Sequence, residues 1–319
     1  MSKDGGATWG PEIIIANAGI HGGGLVVDQA SGDILIFVQD KHPPADIYIY
    51  RSKDNGETWK KEKPTIQKDL NNNKPEMHMA EHGIYLKFGA LQGRLIRPSR
   101  VYGNEKGYNS AIYSDDHGKS WNSSSPFPLA GTGEGAIVEL NDGRLYFTSR
   151  KHWFKNITDS THNLAYAWSY NGGETWVEQE YSNILPDGPR YRGNKGKGNA
   201  YQGHFGMMAG LTRLPLEGHD VLLYSNADTP SHERERMTVW ASFDGGQTWP
   251  VKRLVYEGFS AYSSLASGRL GTASEGWIYL QFEGGEKKGY EKSYFSRFNL
   301  SWIVNGVLTG DGEMPGWIK

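Results

Sequence analysis

The sequence predicts an all-β fold of the propeller type, and three observations predict it. An eight-residue pattern, Ser-x-(Asp/Asn)-x-Gly-x-(Ser/Thr)-Trp, occurs five times: Ser2–Trp9, Ser52–Trp59, Ser114–Trp121, Ser169–Trp176 and Ser242–Trp249. Successive copies are 50, 62, 55 and 73 residues apart, the spacing of a repeated supersecondary unit. The composition agrees: 42 glycines and 13% aromatic residues in 319 suit many short strands joined by tight turns, and no amphipathic helix of twelve or more residues can be drawn.

Each copy reads as a turn. Asp or Asn bonds nearby backbone N–H groups, Gly takes positive φ, and the Trp is expected to anchor the turn by burying its ring. Strand-like sequence precedes most copies, at Ile47–Tyr50, Ala111–Tyr113, Leu164–Trp168 and Met237–Trp240. The motif is therefore a hairpin between two strands. Further short apolar or alternating runs fill the gaps: Ile34–Val38, Gly83–Phe88, Arg94–Ile96, Ala136–Leu140, Arg144–Phe147, Val221–Tyr224 and Trp277–Phe282. Two strand pairs per repeat give four strands, the content of one blade. Arg190–Gly203 and Gly284–Glu291 read as exposed loops within blades, and no linker divides the chain, so residues 1–319 are expected to form one domain.

Composition excludes several functions. With 34 Lys+Arg against 36 Asp+Glu the charge is nearly balanced, which argues against a nucleic-acid partner. No apolar run approaches the length of a membrane-spanning helix. The absence of cysteine excludes disulfides, thiolate metal sites and a cysteine nucleophile. The polar, Gly-rich residues 1–10 do not read as a secretory leader. His78–His82 matches the inverted zinc-protease pattern H-x-x-E-H, but that motif needs a helix. Here it follows Asn71–Pro75 and runs into Gly83–Leu86, so no metal is expected. Sequons at Asn122, Asn156 and Asn299 carry no weight.

The repeats resemble the Asp-boxes of the bacterial exo-sialidases, a glycoside hydrolase family, and the resemblance extends over nearly the whole chain. Gly83–Leu86 with Gly93–Ile96 resembles the strand pair of that family's third blade. Gly133–Arg144 followed by Ser149 and Arg150 resembles the segment with its catalytic Glu and second arginine. Ser260–Leu265, with Tyr262 standing 28 residues after Arg234, resembles its nucleophile segment, and Arg297–Trp302 its closing strand. The resemblance implies a six-bladed propeller and retaining release of terminal sialic acid from sialylated glycans. Tyr262 would be the nucleophile and Glu134 its base; Arg150 and Arg234 would bind the substrate carboxylate. No cofactor is implied. The chemistry is coherent. Guanidinium groups pair with carboxylates, and a neutral phenol, unlike a carboxylate nucleophile, does not repel an anionic sugar. A phenol near pKa 10 needs a base to attack. Arg236, two residues on, is the rival to Arg234. The family places these proteins in the secreted or periplasmic space.

The chain also departs from the family. A first arginine and an acid/base aspartate precede the first Asp-box there, whereas this sequence starts inside its first box. The first blade is accordingly expected to be incomplete, the site to lack both groups, and the open blade edge to favour self-association. The family's Asp-Pro motif is replaced by Gly19–Gly24, where His21 is a candidate substitute contact to the sugar. Two other readings follow: a hydrolase of another 2-keto acid sugar such as Kdo, and a non-catalytic carbohydrate-binding propeller.

Overall fold

Tight turns and alternating strands build nearly everything described here. The computed structural model describes residues 1–16, 21–42, 44–76, 81–103, 106–153, 163–188, 206–229 and 233–318. The first sheet joins β1 (His21–Val27), β2 (Ile34–Gln39), β3 (Ile47–Ser52) and β4 (Lys60–Glu62) in sequence order. The second contains β5 (Thr65–Ile66), β6 (Ile84–Tyr85), β7 (Leu95–Val101), β8 (Tyr108–Ser114) and β9 (Ser120–Ser123), ordered β5-β9-β8-β7-β6. The third joins β10 (Gly135–Glu139), β11 (Leu145–Ser149), β12 (Asn163–Ser169) and β13 (Val177–Pro186).

The fourth sheet runs through β14 (Gly210–Arg213), β15 (Leu222–Ala227), β16 (Glu235–Ser242), β17 (Val251–Ser267), β18 (Ile278–Gly285) and β19 (Lys292–Phe298). A five-residue helix α1 (Leu300–Val304) follows, and β20 (Val307–Leu308) returns to pair with the start of β17. The long β17 serves two blade-like groups. Its first half pairs with β16 from Val251 to Phe259, and its second half pairs with β18 from Phe259 to Ser267. Five blade-like groups can thus be traced among the described residues. Four boxes join the third and fourth strands of such groups, as expected. No helix among the described residues is long and apolar enough to cross a membrane.

The chain forms two compact units, the first built on Gly10–Lys155 with Tyr166–Glu180, the second on Tyr181–Lys319 with Ser2–Trp9. Val26, Leu35, Phe37, Ile49, Leu95 and Trp121 lie in the core of the first. Leu223, Val239, Val251, Leu265, Leu280 and Phe282 lie in the core of the second.

The boxes share one hydrogen-bond scheme. In Ser52–Trp59, the Gly56 amide donates to Ser52 Oγ at 2.8 Å and the Thr58 amide to Asp54 Oδ1 at 2.9 Å. The same bonds recur in Ser114–Trp121 and Ser242–Trp249. Three boxes also dock on a neighbouring sheet through an arginine that donates to a box glycine carbonyl. Arg51 reaches Gly118 O at 3.3 Å, Arg94 reaches Gly172 O at 3.1 Å, and Arg297 reaches Gly5 O at 2.8 Å. Two glycines are required for this approach. A Cβ on Gly118 would stand 2.5 Å from Leu35 Cδ2, and one on Gly173 would stand 2.0 Å from Ile96 Cδ1.

The structure corrects some expectations. Trp121, Trp176 and Trp249 are buried, but Trp59 is only half-buried and Trp9 is 58% exposed. Trp121 packs edge-on against Phe37 in the core, whereas Trp9 packs edge-on against Phe295, itself a surface residue at 43% exposed. The Gly83–Phe88 run yields just the two-residue β6, because the Lys87 and Phe88 amides donate to the Glu139 carboxylate, at 2.6 and 3.0 Å, instead of to a strand. Gly284 and Gly285 belong to β18, so that loop begins later. Arg190–Gly203 lies outside the described residues.

Candidate active site

The residues singled out by sequence fall into two pairs, one in each unit. Glu134 and Arg150 flank the hairpin of β10 and β11, whose first pair is Gly135 opposite Ser149. The Arg150 amide donates to Glu134 O at 2.8 Å, and the Gly133 amide to Arg150 O at 3.0 Å, so the hairpin register sets the two side chains side by side. Gly135 lets the strands close here, since a Cβ would lie 2.3 Å from Asn109 Nδ2. Both side chains are buried, and Arg150 Nη1 donates to Glu134 Oε2.

A third group completes this pair. Arg100, at the end of β7, places Nη1 3.9 Å from Glu134 Oε1, and His152 Nδ1 lies 3.6 Å from the same oxygen. The Arg100 guanidinium lies against the rings of Tyr102 and Trp153, 4.3 and 5.2 Å from their centroids, and donates to the Tyr102 hydroxyl. His42 Nε2 is 3.3 Å from that hydroxyl. Burial holds the Tyr102 phenol above its ordinary pKa, although Arg100 pulls the other way. Glu76 bridges to Arg100 through its backbone, and its carboxyl accepts from Gln39 Nε2; burial raises its pKa. Sequence reasoning missed Arg100, Tyr102, His152 and Glu76. The β7 run Leu-Ile-Arg-Pro-Ser-Arg-Val holds two arginines and a serine, so the residue pattern did not single out Arg100.

In the second unit, Arg234 immediately precedes β16 and Tyr262 lies in β17. The Arg234 guanidinium stands over the Tyr262 ring, 5.3 Å from its centroid. Arg234 Nη2 donates to Gly206 O at 2.9 Å, and Nη1 donates to the Tyr290 hydroxyl. The Ser260 amide donates to Arg234 O at 2.8 Å and ties the two segments together. The Tyr262 amide donates to Glu283 Oε2 at 3.3 Å.

Both residues owe their aim to bulges, which redirect side chains near functional sites. Ladder pairing of β17 with β18 slips between Ser260 and Ser263, around Tyr262. Pairing of β16 with β17 slips between Glu235 and Met237, where Arg236 has φ of 64°. Residues two apart on a regular strand share a face. The bulge breaks that rule: Arg236 turns to Glu257 while Arg234 faces Tyr262.

His21 opens β1 opposite Gln39; its side chain lies outside the described residues, as do His78 and its neighbours. Glu81 and His82, the described end of the zinc-like pattern, bond to each other at 2.6 Å in a non-helical segment. No cluster of His, Asp or Glu suited to a metal ion occurs among the described residues.

Comparison with known proteins places the chain in a family. The model of the BNR repeat-like domain matches residues 1–274. The chain belongs to that family. It is 27% identical over 332 residues to a sialidase of Micromonospora viridifaciens, a match covering 95% of this chain and 46% of that one. A Vibrio cholerae sialidase is also 27% identical, over 58% of this chain and 25% of its own. The chain thus spans less than half the length of these curated relatives. Among solved structures, the Hadza microbial sialidase Hz136 superposes with a TM-score of 0.69 at 22% identity, covering 95% of this chain and 59% of that one. A Trypanosoma rangeli sialidase with 2,3-difluorosialic acid, described as a covalent intermediate, gives 0.61 at 17% identity over 92% and 48% of the two chains. The likeness shows a shared all-β, propeller-type fold.

Proposed function

We propose that this chain carries the glycone-binding and nucleophilic machinery of a retaining exo-α-sialidase. The observation that carries the reading is the Arg234 guanidinium set over the Tyr262 ring at a bulge, a carboxylate-binding cation beside a phenol. Tyr262 attacks the anomeric carbon as the bond from that carbon to the aglycone oxygen breaks, and Glu134 takes the phenolic proton. Water then cleaves the tyrosyl–sugar bond, with Glu134 returning the proton to Tyr262. Arg150 and Arg234 hold the sugar carboxylate by charge-assisted hydrogen bonds. The substrates are sialylated glycans, in keeping with the sialidases to which the chain is similar over most of its length. A six-bladed arrangement gives the remaining position to the box Ser2–Trp9, docked on β18 and β19 through Tyr279 and Arg297.

A comparison of two substrates tests the reading. An aryl α-sialoside releases a phenolate that needs no proton, whereas sialyl-lactose needs an acid. The chain should turn over the aryl substrate, and Tyr262→Phe should lower kcat by roughly 10³-fold or more. Turnover of sialyl-lactose as well would locate an acid within residues 1–319. Saturable sialic acid binding with no turnover of either substrate would make the protein a carbohydrate-binding propeller. Turnover confined to a Kdo glycoside would change the sugar.

A further inference from the structure

Glu134 is almost completely buried, its side chain 1% exposed, and an ionised carboxylate at that depth requires counter-charge. Arg150 supplies it at Oε2. On the reading above, Arg150 must turn to the sugar carboxylate during binding. Glu134 must then stay ionised, because a protonated carboxyl cannot accept the phenolic proton. A second cation is needed that does not leave.

Arg100 fits that need. Its side chain is 2% exposed and its Nη1 lies 3.9 Å from Oε1, the other carboxylate oxygen from the one to which Arg150 Nη1 donates. Aromatic rings confine the guanidinium, through Tyr102 at 4.3 Å and Trp153 at 5.2 Å. The strand end beneath it is pinned by paired backbone bonds to Glu76, at 3.0 and 2.7 Å. Its Nε is buried with no hydrogen-bond partner among the described residues. Among the described residues, Arg150 and His152 from the segment after β11, Arg100 and Tyr102 from the end of β7, His42 from the segment after β2, and Lys74 and Glu76 from the segment before β6 bring charged or titratable groups to this place. Glu76 carries the same sign as Glu134, and Lys74 and Arg100 both favour its ionised form.

We propose that Arg100 is a positioning residue for the reaction: the permanent counter-charge that keeps Glu134 ionised while Arg150 is engaged by the substrate carboxylate. This rests on the assignment of Glu134 as base and Arg150 as carboxylate ligand.

The test is the pH profile of kcat, which reports ionisations in the enzyme–substrate complex, measured on an aryl α-sialoside. An opposite charge within about 4–6 Å lowers a carboxyl pKa by roughly one to three units. Arg100→Met should therefore move the acidic limb up by about one unit or more and lower kcat below the limb about tenfold, with KM little changed. Arg100→Lys should restore most of the wild-type limb. If Arg100→Met fails to fold, Arg100→Gln removes the same charge and carries the same expectation. A folded, uncharged variant with the wild-type kcat profile would overturn the proposal and leave the assigned reaction standing. A wild-type chain that turns over no sialoside would overturn the reaction and this proposal together.

Discussion

The two pairs of candidate residues hold their cations in opposite ways. Glu134 and Arg150 are buried and neutralise each other, so any other anion would have to displace a carboxylate already present. Arg234 and Tyr262 are half-buried, and the guanidinium rests on a ring face, a phenol and a backbone carbonyl. None of those partners carries a full negative charge, so this cation is offered to a ligand ready-made. The first pair is tied closely to stability, and the second much less.

That contrast can be broken by removing each arginine in turn. Arg150→Met leaves Glu134 in the interior without its nearest partner, and breaking a buried pair costs about 3–5 kcal/mol. Arg234→Met removes a half-exposed cation and should cost about 1 kcal/mol or less. Both should weaken binding of a sialic acid analogue. Urea unfolding of the two variants measures the difference, and equal losses would erase the distinction between the pairs.

A smaller effect separates docked boxes from open ones. Gly118 has φ of 78° and packs under Leu35 beside the Arg51 guanidinium, whereas Gly56 has φ of 89° and only Trp59 and Ile34 nearby, no closer than 3.6 Å. Alanine pays the left-handed backbone cost at either site, about 1–2 kcal/mol. Gly118→Ala adds a steric clash worth roughly another 1 kcal/mol or more. Thermal unfolding of both variants should rank Gly118→Ala as the less stable. The reverse order would mean that the Arg51 contact does not hold the box.

The contrasts were unequally legible in the sequence. The boxes and most strands could be read because their signals are local: a turn residue, a glycine and an alternating run. Glu134 and Arg150 were each legible through the family resemblance, but their pairing was not, although one hairpin, Gly135 opposite Ser149, sets them side by side. Arg100 was not legible, because it comes from a different hairpin and meets Glu134 only through tertiary packing. The docking arginines Arg51, Arg94 and Arg297 were hidden for the same reason. The choice of Arg234 over Arg236 turns on a bulge, and a bulge shifts every side chain after it without a clear mark in the residue pattern. Trp9 misled because box chemistry makes the turn, while only a neighbouring core buries the ring.

The smallest effect concerns the boxes at low pH. Hydrogen bonds from the Thr58 hydroxyl and amide hold the Asp54 carboxyl at about 2, and the Thr8 hydroxyl and amide do the same for Asp4. In Asp116, burial works against ionisation, but the Ser120 hydroxyl and amide outweigh it and hold the group at about 2. A carboxyl depressed in the folded state stabilises that state above its unfolded pKa near 3.8 and loses the effect as pH falls through about 2. The box Ser169–Trp176 has Asn171 in this position, and its Oδ1 still accepts from the Thr175 amide at 3.0 Å. An amide oxygen does not titrate. Between pH 5 and 2, the Thr58 and Ser120 amide resonances should therefore move with midpoints near 2, while that of Thr175 stays in place. If Thr175 moved in step with the others, the whole domain would be loosening in acid, and the box carboxylates would have no separate part in its pH response.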